Sequence, residues 1–472
     1  MLSKKVSTEA LDHASQLLAS SYGSRYISSP VPKYELPEEQ IPANIAYQLI
    51  HDEMNLDGNP AMNLATFVTT WMEPEVDKLM IESMGKNYID ADEYPQSTEI
   101  QNRCVNMLAR LFNSPAHHTA TGTATVGSSE AIHLAGLALK WNWKKKREKQ
   151  KKPFDKPNIV MGANVQVCWE KFARYFDVEP RYVPLTKTRF VIGVDEAMAL
   201  VDENTIAVVG ILGSTYNGQY EPIKELNDAL VELNARTGWD VPVHVDAASG
   251  GFVAPFLQPE FEWDFRLPLV RSINVSGHKY GLVYPGVGWI IWRDEAELPE
   301  ELIFHVNYLG GDQPTFNLNF SRGASQIIAQ YYNFLRLGRK GYREIMLNLQ
   351  ETARYISSAI EAAGHFDLIS DDKGLPLACF KLKRERHYTV FDVSDRLRER
   401  GWIVPAYSLA PDAEQIAVLR VVVREGLSRD MAELLVGDIH RTVDFLDTVV
   451  QRGSKQPTAH KKRKKSKTKA PC

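Results

Sequence analysis

Three short segments hold residue types suited to a single kind of chemistry. The run Ser276-Gly277-His278-Lys279-Tyr280-Gly281 directly follows a β-branched stretch, Ser272 to Val275. A lysine just past a strand can place its ammonium in a cleft. Burial there lowers its pKa and frees the amine for Schiff-base chemistry. Upstream lies His244-Val245-Asp246-Ala247-Ala248-Ser249-Gly250-Gly251, with Asp246 thirty-three residues before Lys279. A strand ending in a carboxylate and followed by small residues lets a flat group lie close. A pyridinium nitrogen needs such a carboxylate as its charge partner. The third segment, Gly127-Ser128-Ser129-Glu130, opens an apolar helical stretch that runs to about Trp141. Two hydroxyls beside free backbone N–H groups at a helix N-terminus form an anion site.

Taken singly, each segment has a plain alternative: an exposed loop lysine, an aspartate capping a turn, an ordinary serine N-cap. Together they supply a phosphate cup, a pyridinium partner and a Schiff-base amine, in the chain order one cofactor needs. That cofactor is pyridoxal 5'-phosphate.

The elements that must position these groups follow from the hydrophobic pattern. Asn158 to Met161, Thr205 to Leu212, Pro242 to Val245, Ser272 to Val275 and Val287 to Trp292 are short β-branched runs, several of them separated by helical stretches such as Glu221 to Thr237. This alternation predicts an α/β domain with a largely parallel sheet. Functional residues then belong at carboxyl ends of strands and at the helix starts that follow. Residues 324–363 read as helical, with Gly338 and Gly341 as punctuation. A second αβ unit follows, with strands Leu377 to Leu382 and Val418 to Val423 and helices Tyr388 to Arg400 and Asp430 to Val449. The expected organisation is an N-terminal arm and helices (1–60), a large domain (61–349), a small C-terminal domain (350–450) and a basic tail (451–472).

Composition sets the class. The chain has 472 residues, 44% hydrophobic and 24% charged, with 29 Gly and 25 Pro. This is ordinary globular usage and excludes disordered, collagen-like and disulfide-scaffold chains. Four scattered cysteines, Cys104, Cys168, Cys379 and Cys472, form no metal clip and point to a reducing, cytoplasmic setting. No apolar run reaches the length of a membrane span, and the N-terminus has no apolar secretory segment. The net charge of −4 conceals an asymmetry: Arg452 to Cys472 holds nine Lys/Arg and no acid, which leaves −13 on the rest. The cluster Lys144 to Lys152 reads as a solvated helix end.

Longer stretches then carry a resemblance. They are Leu64-Ala65-Thr66-Phe67-Val68-Thr69-Thr70-Trp71-Met72-Glu73-Pro74, Lys86-Asn87-Tyr88, Asp92-Glu93-Tyr94-Pro95, the segments around Asp246 and Lys279, and Trp402 to Tyr407. From about residue 20 to 445 the chain resembles the glutamate decarboxylases of the pyridoxal phosphate fold-type I class, closest to the plant enzymes. The resemblance implies a large domain with a mostly parallel seven-stranded sheet and a smaller αβ domain. It implies conversion of L-glutamate to 4-aminobutyrate and carbon dioxide through a Schiff base on Lys279.

Site roles follow from the same resemblance. Asp246 matches the pyridine-nitrogen partner. Ala248 and Gln166 match the residues on the two ring faces, and Thr215 one near the ring hydroxyl. Ser128, Ser129, Ser276 and His278 match phosphate contacts, with Ser321 contributed by a neighbouring subunit. Thr66, Phe67, Asn87 and Asp90 correspond to the pocket for the distal carboxylate, some of them across a dimer interface. Arg420 matches the holder of the α-carboxylate, and Tyr308 and Leu309 lie in the loop that closes over the site and is implicated in reprotonation.

An obligate dimer, commonly assembled into a hexamer, is implied as well. So is a calmodulin-binding C-terminus, as in the plant enzymes. Here residues 453–472 keep the lysines but lack a tryptophan and other apolar anchors, which helix-in-groove docking needs. Charge attraction to calmodulin, a solvated tail, and a nucleic-acid or membrane-surface patch stay open on this point, and no specific nucleic-acid or membrane partner is expected. Two other readings compete: a fold-type I decarboxylase for aromatic amino acids or histidine, opposed by Thr66, Phe67 and Asn87, and a non-catalytic module binding through its tail.

Overall fold

The computed structural model describes residues 32–115 and 119–452. The basic tail at 453–472 and Cys472 lie outside the described residues. The chain divides into two units, Met1–Met62 and Asn63–Cys472. In the first, the helix Ala43–Met54 starts directly after Pro42, whose fixed φ and missing N–H suit a helix entry.

The second unit is built on a seven-stranded sheet. Its strands are β1 (Gly122–Thr125), β2 (Asn158–Gly162), β3 (Glu179–Val183), β4 (Thr205–Ile211), β5 (Val243–Asp246), β6 (Val270–Val275) and β7 (Gly288–Trp292), in the spatial order β1-β7-β6-β5-β4-β2-β3. Strands β3, β2, β4, β5 and β6 pair in parallel, and β7 runs antiparallel to both β6 and β1. Every residue of β2, β4, β5 and β7 is buried. Such strands, covered on both faces, read as continuous apolar runs.

The edge strand β3 escapes that pattern. Its sequence, Glu-Pro-Arg-Tyr-Val, is largely outside the core. Proline and charge are tolerated there because one side of an edge strand has no ladder partner.

A short hairpin, β8 (Phe304–Val306) with β9 (Gln313–Thr315), precedes the helix Ser325–Ala362. That helix has one non-helical residue, Gly338, at φ 56°. Glycine takes this left-handed conformation without the cost a side chain would bring, and a kink results. Gly341 stays helical. Beyond it stands a four-stranded antiparallel sheet of β10 (Phe366–Leu368), β11 (Leu377–Leu382), β12 (Ala406–Ser408) and β13 (Ala417–Val422), ordered β10-β11-β13-β12. Among the described residues no helix is long and apolar enough to cross a membrane.

The basic cluster differs from its sequence reading. Arg147 is buried, pairs with Glu203 at 2.9 Å and donates to the Pro153 carbonyl at 2.8 Å. Lys146 donates to the Trp239 carbonyl at 2.6 Å. This helix end is therefore an anchor, tied to the loop before β4 and the turn before β5, and not merely solvated.

One glycine sets how closely β7 approaches the start of the helix Ser128–Lys149. A Cβ on Gly288 would stand 2.5 Å from the carbonyl carbon of Gly127 and 2.7 Å from the Ser128 nitrogen. Both are backbone atoms and cannot rotate away. Gly288→Ala is expected to cost about 1–3 kcal/mol, the range for overpacking, read as a lowered midpoint in denaturant unfolding. An unchanged midpoint would show that the strand and helix can part freely.

Candidate active site

The carboxyl ends of five strands meet at one cavity of about 330 Å³. β1 leads to Ser128 and Ser129, β2 to Asn164 and Gln166, and β4 to Gly213 and Thr215. β5 ends in Asp246, and β6 leads to Ser276, His278 and Lys279. Arg420 enters from β13 of the second sheet, and Ala65, Thr66, Phe67 and Val68 line the remaining wall. Strand-end loops of parallel sheets are where such folds place ligands.

Lys279 is held from both sides. Its carbonyl accepts from Thr69 Oγ1 at 2.8 Å, and its Nζ donates to Ser249 Oγ at 3.1 Å. Its amine also stands 5.4 Å from the Phe67 ring centre. Burial lowers its pKa below the ordinary ammonium range, against the pull of the Asp246 charge. Asp246 is buried, and three donors point at it: Trp169 Nε1 at 2.9 Å, Asn274 Nδ2 at 2.9 Å and the Ala248 N–H at 3.1 Å.

Ser128 Oγ and Ser276 Oγ lie 2.7 Å apart at the helix start. Beside them, His278 Nδ1 is buried and finds no hydrogen-bond partner among the described residues. Burial, reinforced by the neighbouring Lys279 charge, pulls the His278 ring down to about 4, so the ring is neutral near pH 7. Gln166 caps the helix Val167–Tyr175, its side-chain oxygen accepting from Cys168 N at 2.7 Å. Arg420 donates through Nη2 to the Ala65 carbonyl at 2.6 Å and through Nη1 to the Thr215 carbonyl, with its guanidinium 4.8 Å from the Phe67 ring centre.

These residues fit pyridoxal phosphate. The serine hydroxyls and the orphaned His278 nitrogen suit a phosphate, the buried Asp246 a pyridinium nitrogen, and the desolvated Lys279 amine an aldehyde.

Twelve of the residues singled out from the sequence line this cavity: Thr66, Phe67, Ser128, Ser129, Gln166, Thr215, Asp246, Ala248, Ser276, His278, Lys279 and Arg420. The other five do not. Asn87 Nδ2 donates to Asp90 Oδ1 at 3.3 Å and approaches Ser321 Oγ at 3.5 Å. Tyr308, on the β8–β9 hairpin, stacks on Phe320 beside Ser321 and is 71% exposed, and Leu309 follows it. They form a separate patch on the surface of the chain.

Sequence reasoning missed Ser249, the partner of Lys279, although it stands in the quoted Asp246 segment. It also missed Trp169 and Asn274. No sequence signal separates a tryptophan on an apolar helix face from plain core.

Beside the cavity, Asn164 leads to a buried acid. Glu221 accepts from Asn164 Nδ2 at 3.0 Å, Ile192 N at 3.2 Å and Ile211 N at 2.7 Å. Burial nonetheless raises its pKa to about 7. The folded chain thus binds a proton that the unfolded chain releases near pH 4.5. Stability then falls as pH rises from about 4.5 to 7, by on the order of 3 kcal/mol. Glu221→Gln is expected to flatten that slope in denaturant midpoints measured across the same window; an unchanged slope would remove Glu221 as its source.

Comparison with known proteins agrees with this geometry. Residues 36–383 match the pyridoxal-dependent decarboxylase conserved domain, and the chain belongs to that family. Its relatives narrow the group. The chain is 58% identical over 454 residues to a glutamate decarboxylase of Petunia hybrida, covering 96% of this chain and 90% of that one. It is 52% identical over 447 residues to a glutamate decarboxylase of Aliivibrio fischeri, covering 94% and 95%. The solved Lactobacillus brevis glutamate decarboxylase superposes with a TM-score of 0.86 at 46% identity, over 89% of this chain and 96% of that one. A Catharanthus roseus tryptophan decarboxylase, at TM-score 0.72 and 17% identity over 94% and 100% of the two chains, shares the fold alone.

Proposed function

We propose that this chain decarboxylates L-glutamate at its α-carbon, yielding 4-aminobutyrate and carbon dioxide, with pyridoxal phosphate as cofactor. The observation that carries the reading is one cavity holding the desolvated Lys279 amine, the triply hydrogen-bonded Asp246 and the buried Arg420. The cofactor, when bound, supplies an electron sink for the pair left at Cα as carbon dioxide departs.

The chain's own residues do the rest. Lys279 offers its desolvated amine as the covalent attachment point. Asp246 holds the proton on the pyridine nitrogen. Ser128, Ser129, Ser276 and His278 hold the phosphate, Gln166 and Ala248 cover the two ring faces, and Thr215 lies toward the ring hydroxyl. Arg420 would hold and orient the α-carboxylate for its departure. Its grip must not strengthen the ground state as much as the transition state, or no rate is gained. Thr66 and Phe67 receive the distal carboxylate.

Asn87, Asp90, Ser321, Tyr308 and Leu309 lie outside the cavity, and a second copy of the chain is the source that completes the site. The working unit in this reading is a homodimer, assembled further into a hexamer. Tyr308 and Leu309 on the hairpin then close the site for the return of a proton to Cα. Domains at 61–349 and 350–450, after an arm at 1–60, belong to the same proposal. So does a cytoplasmic location, supported by buried free thiols at Cys104, Cys168 and Cys379.

The eight positive charges from Lys455 onward support an electrostatic contact of residues 453–472 with acidic calmodulin. Calcium-dependent activation that disappears on deleting 453–472 is the expected result, and activation untouched by the deletion would refute that contact. The reaction itself is tested by carbon dioxide release from glutamate, aspartate and tyrosine, with and without added pyridoxal phosphate. Release from glutamate alone, dependent on the cofactor, is expected. Preference for tyrosine would overturn the substrate assignment.

A further inference from the structure

We propose that Trp169 and Asn274 are positioning residues for Asp246, and that a one-way hydrogen-bond chain running from Ser272 through His244 to Asn274 fixes how that carboxylate is presented. The inference deepens the reading of Asp246 as the pyridine-nitrogen partner and rests on it.

The direction of the chain follows from donor and acceptor chemistry alone. An indole N–H only donates, so Trp169 Nε1, 2.9 Å from Asp246 Oδ2, needs an acceptor there. The Asn274 amide lies 2.9 Å from Asp246 Oδ1. With its oxygen turned that way, acceptor would face acceptor, so the NH₂ faces Asp246 and the amide oxygen faces His244. His244 Nε2 stands 2.8 Å from that oxygen and must carry a hydrogen.

Burial holds the His244 ring well below its ordinary range, at about 4, so only one ring nitrogen is protonated. Nδ1 is then the acceptor, and Ser272 Oγ, at 2.7 Å, is its donor. His244, Ser272 and Asn274 are all fully buried, so no water competes for these bonds. The Trp169 ring packs on His244 at 5.2 Å between centres and closes the loop of contacts. Both carboxylate oxygens are thereby engaged from the protein side, and the group cannot turn about its last bond without breaking a buried contact.

The test is a double-mutant cycle read in the dissociation constant of pyridoxal phosphate from the apoenzyme and in the visible absorbance of the bound cofactor. Trp169→Phe keeps an aromatic ring and deletes the donor. It is expected to weaken cofactor binding about 10- to 100-fold, the loss of one hydrogen bond to a charged group, and to move the absorbance maximum. In an Asp246→Ala background the same change is expected to add no more than about twofold. Ser272→Ala, a smaller alteration that keeps the core packed, strands the buried His244 Nδ1 without a donor and loosens the far end of the chain, and is expected to weaken binding about 2- to 10-fold.

Asp246→Ala with wild-type affinity and spectrum would overturn the reading of the site itself. A loss in Asp246→Ala, with Trp169→Phe or Ser272→Ala equally damaging in both backgrounds or harmless in both, would overturn the positioning inference alone.

Discussion

Lys279→Ala is expected to abolish carbon dioxide release from glutamate, a fall on the order of ten-thousandfold or more, as when a nucleophile is removed from a group of residues acting as a unit. The geometry states why no neighbour replaces it. The other basic side chains around it are not primary alkyl amines: Arg420 is a guanidinium bonded to the Ala65 and Thr215 carbonyls, and His278 is an imidazole beside the serine pair. The phosphate contacts at Ser128, Ser129 and Ser276 are untouched by the substitution, so the cofactor is expected to remain bound but unlinked. Borohydride treatment followed by denaturation is expected to leave the wild-type chain labelled and the variant unlabelled. Turnover retained in the variant would take Lys279 out of its role.

Asp246→Ala carries the second large effect. Removing a preorganised charge from a water-excluded site costs about 100- to 1000-fold in rate, read as carbon dioxide release at saturating cofactor. The same substitution strands two buried donors, Trp169 Nε1 and Asn274 Nδ2, at about 1–3 kcal/mol each. Activity and thermal stability are therefore expected to fall together. Asp246→Asn restores volume and one acceptor but no charge, and turns its NH₂ against a donor, so it is expected to recover part of the stability and none of the lost rate. Wild-type turnover in either variant would refute the assignment.

Much of this site was readable because its chemistry sits at strand ends. Asp246 closes β5 and Lys279 follows β6, as the β-branched runs before them predict. The helix start at Ser128 was readable for the same reason: small hydroxyl residues precede a long apolar face. Strand β3 was not, since Glu179, Pro180 and Arg181 carry no apolar alternation and only their place at the sheet edge admits them. Trp169 and Asn274 were invisible as functional groups. Their role is a matter of where an N–H points, and periodicity reports only which face is buried. That Asn87, Asp90, Tyr308, Leu309 and Ser321 do not line the cavity of their own chain is not a matter of spacing either; the resemblance alone placed Ser321 and some of the distal-pocket residues across a subunit boundary, and periodicity carries no such signal.

Arg420 belongs to the second sheet, yet its hydrogens end on carbonyls of two segments that wall the cavity beside the first. Its Nε finds no partner among the described residues. A carboxylate arriving at this guanidinium meets a rivet already driven through both layers. The segments around Ala65 and Thr215 are thus pinned before any ligand arrives, and Arg420→Ala would loosen them as well as remove a carboxylate partner.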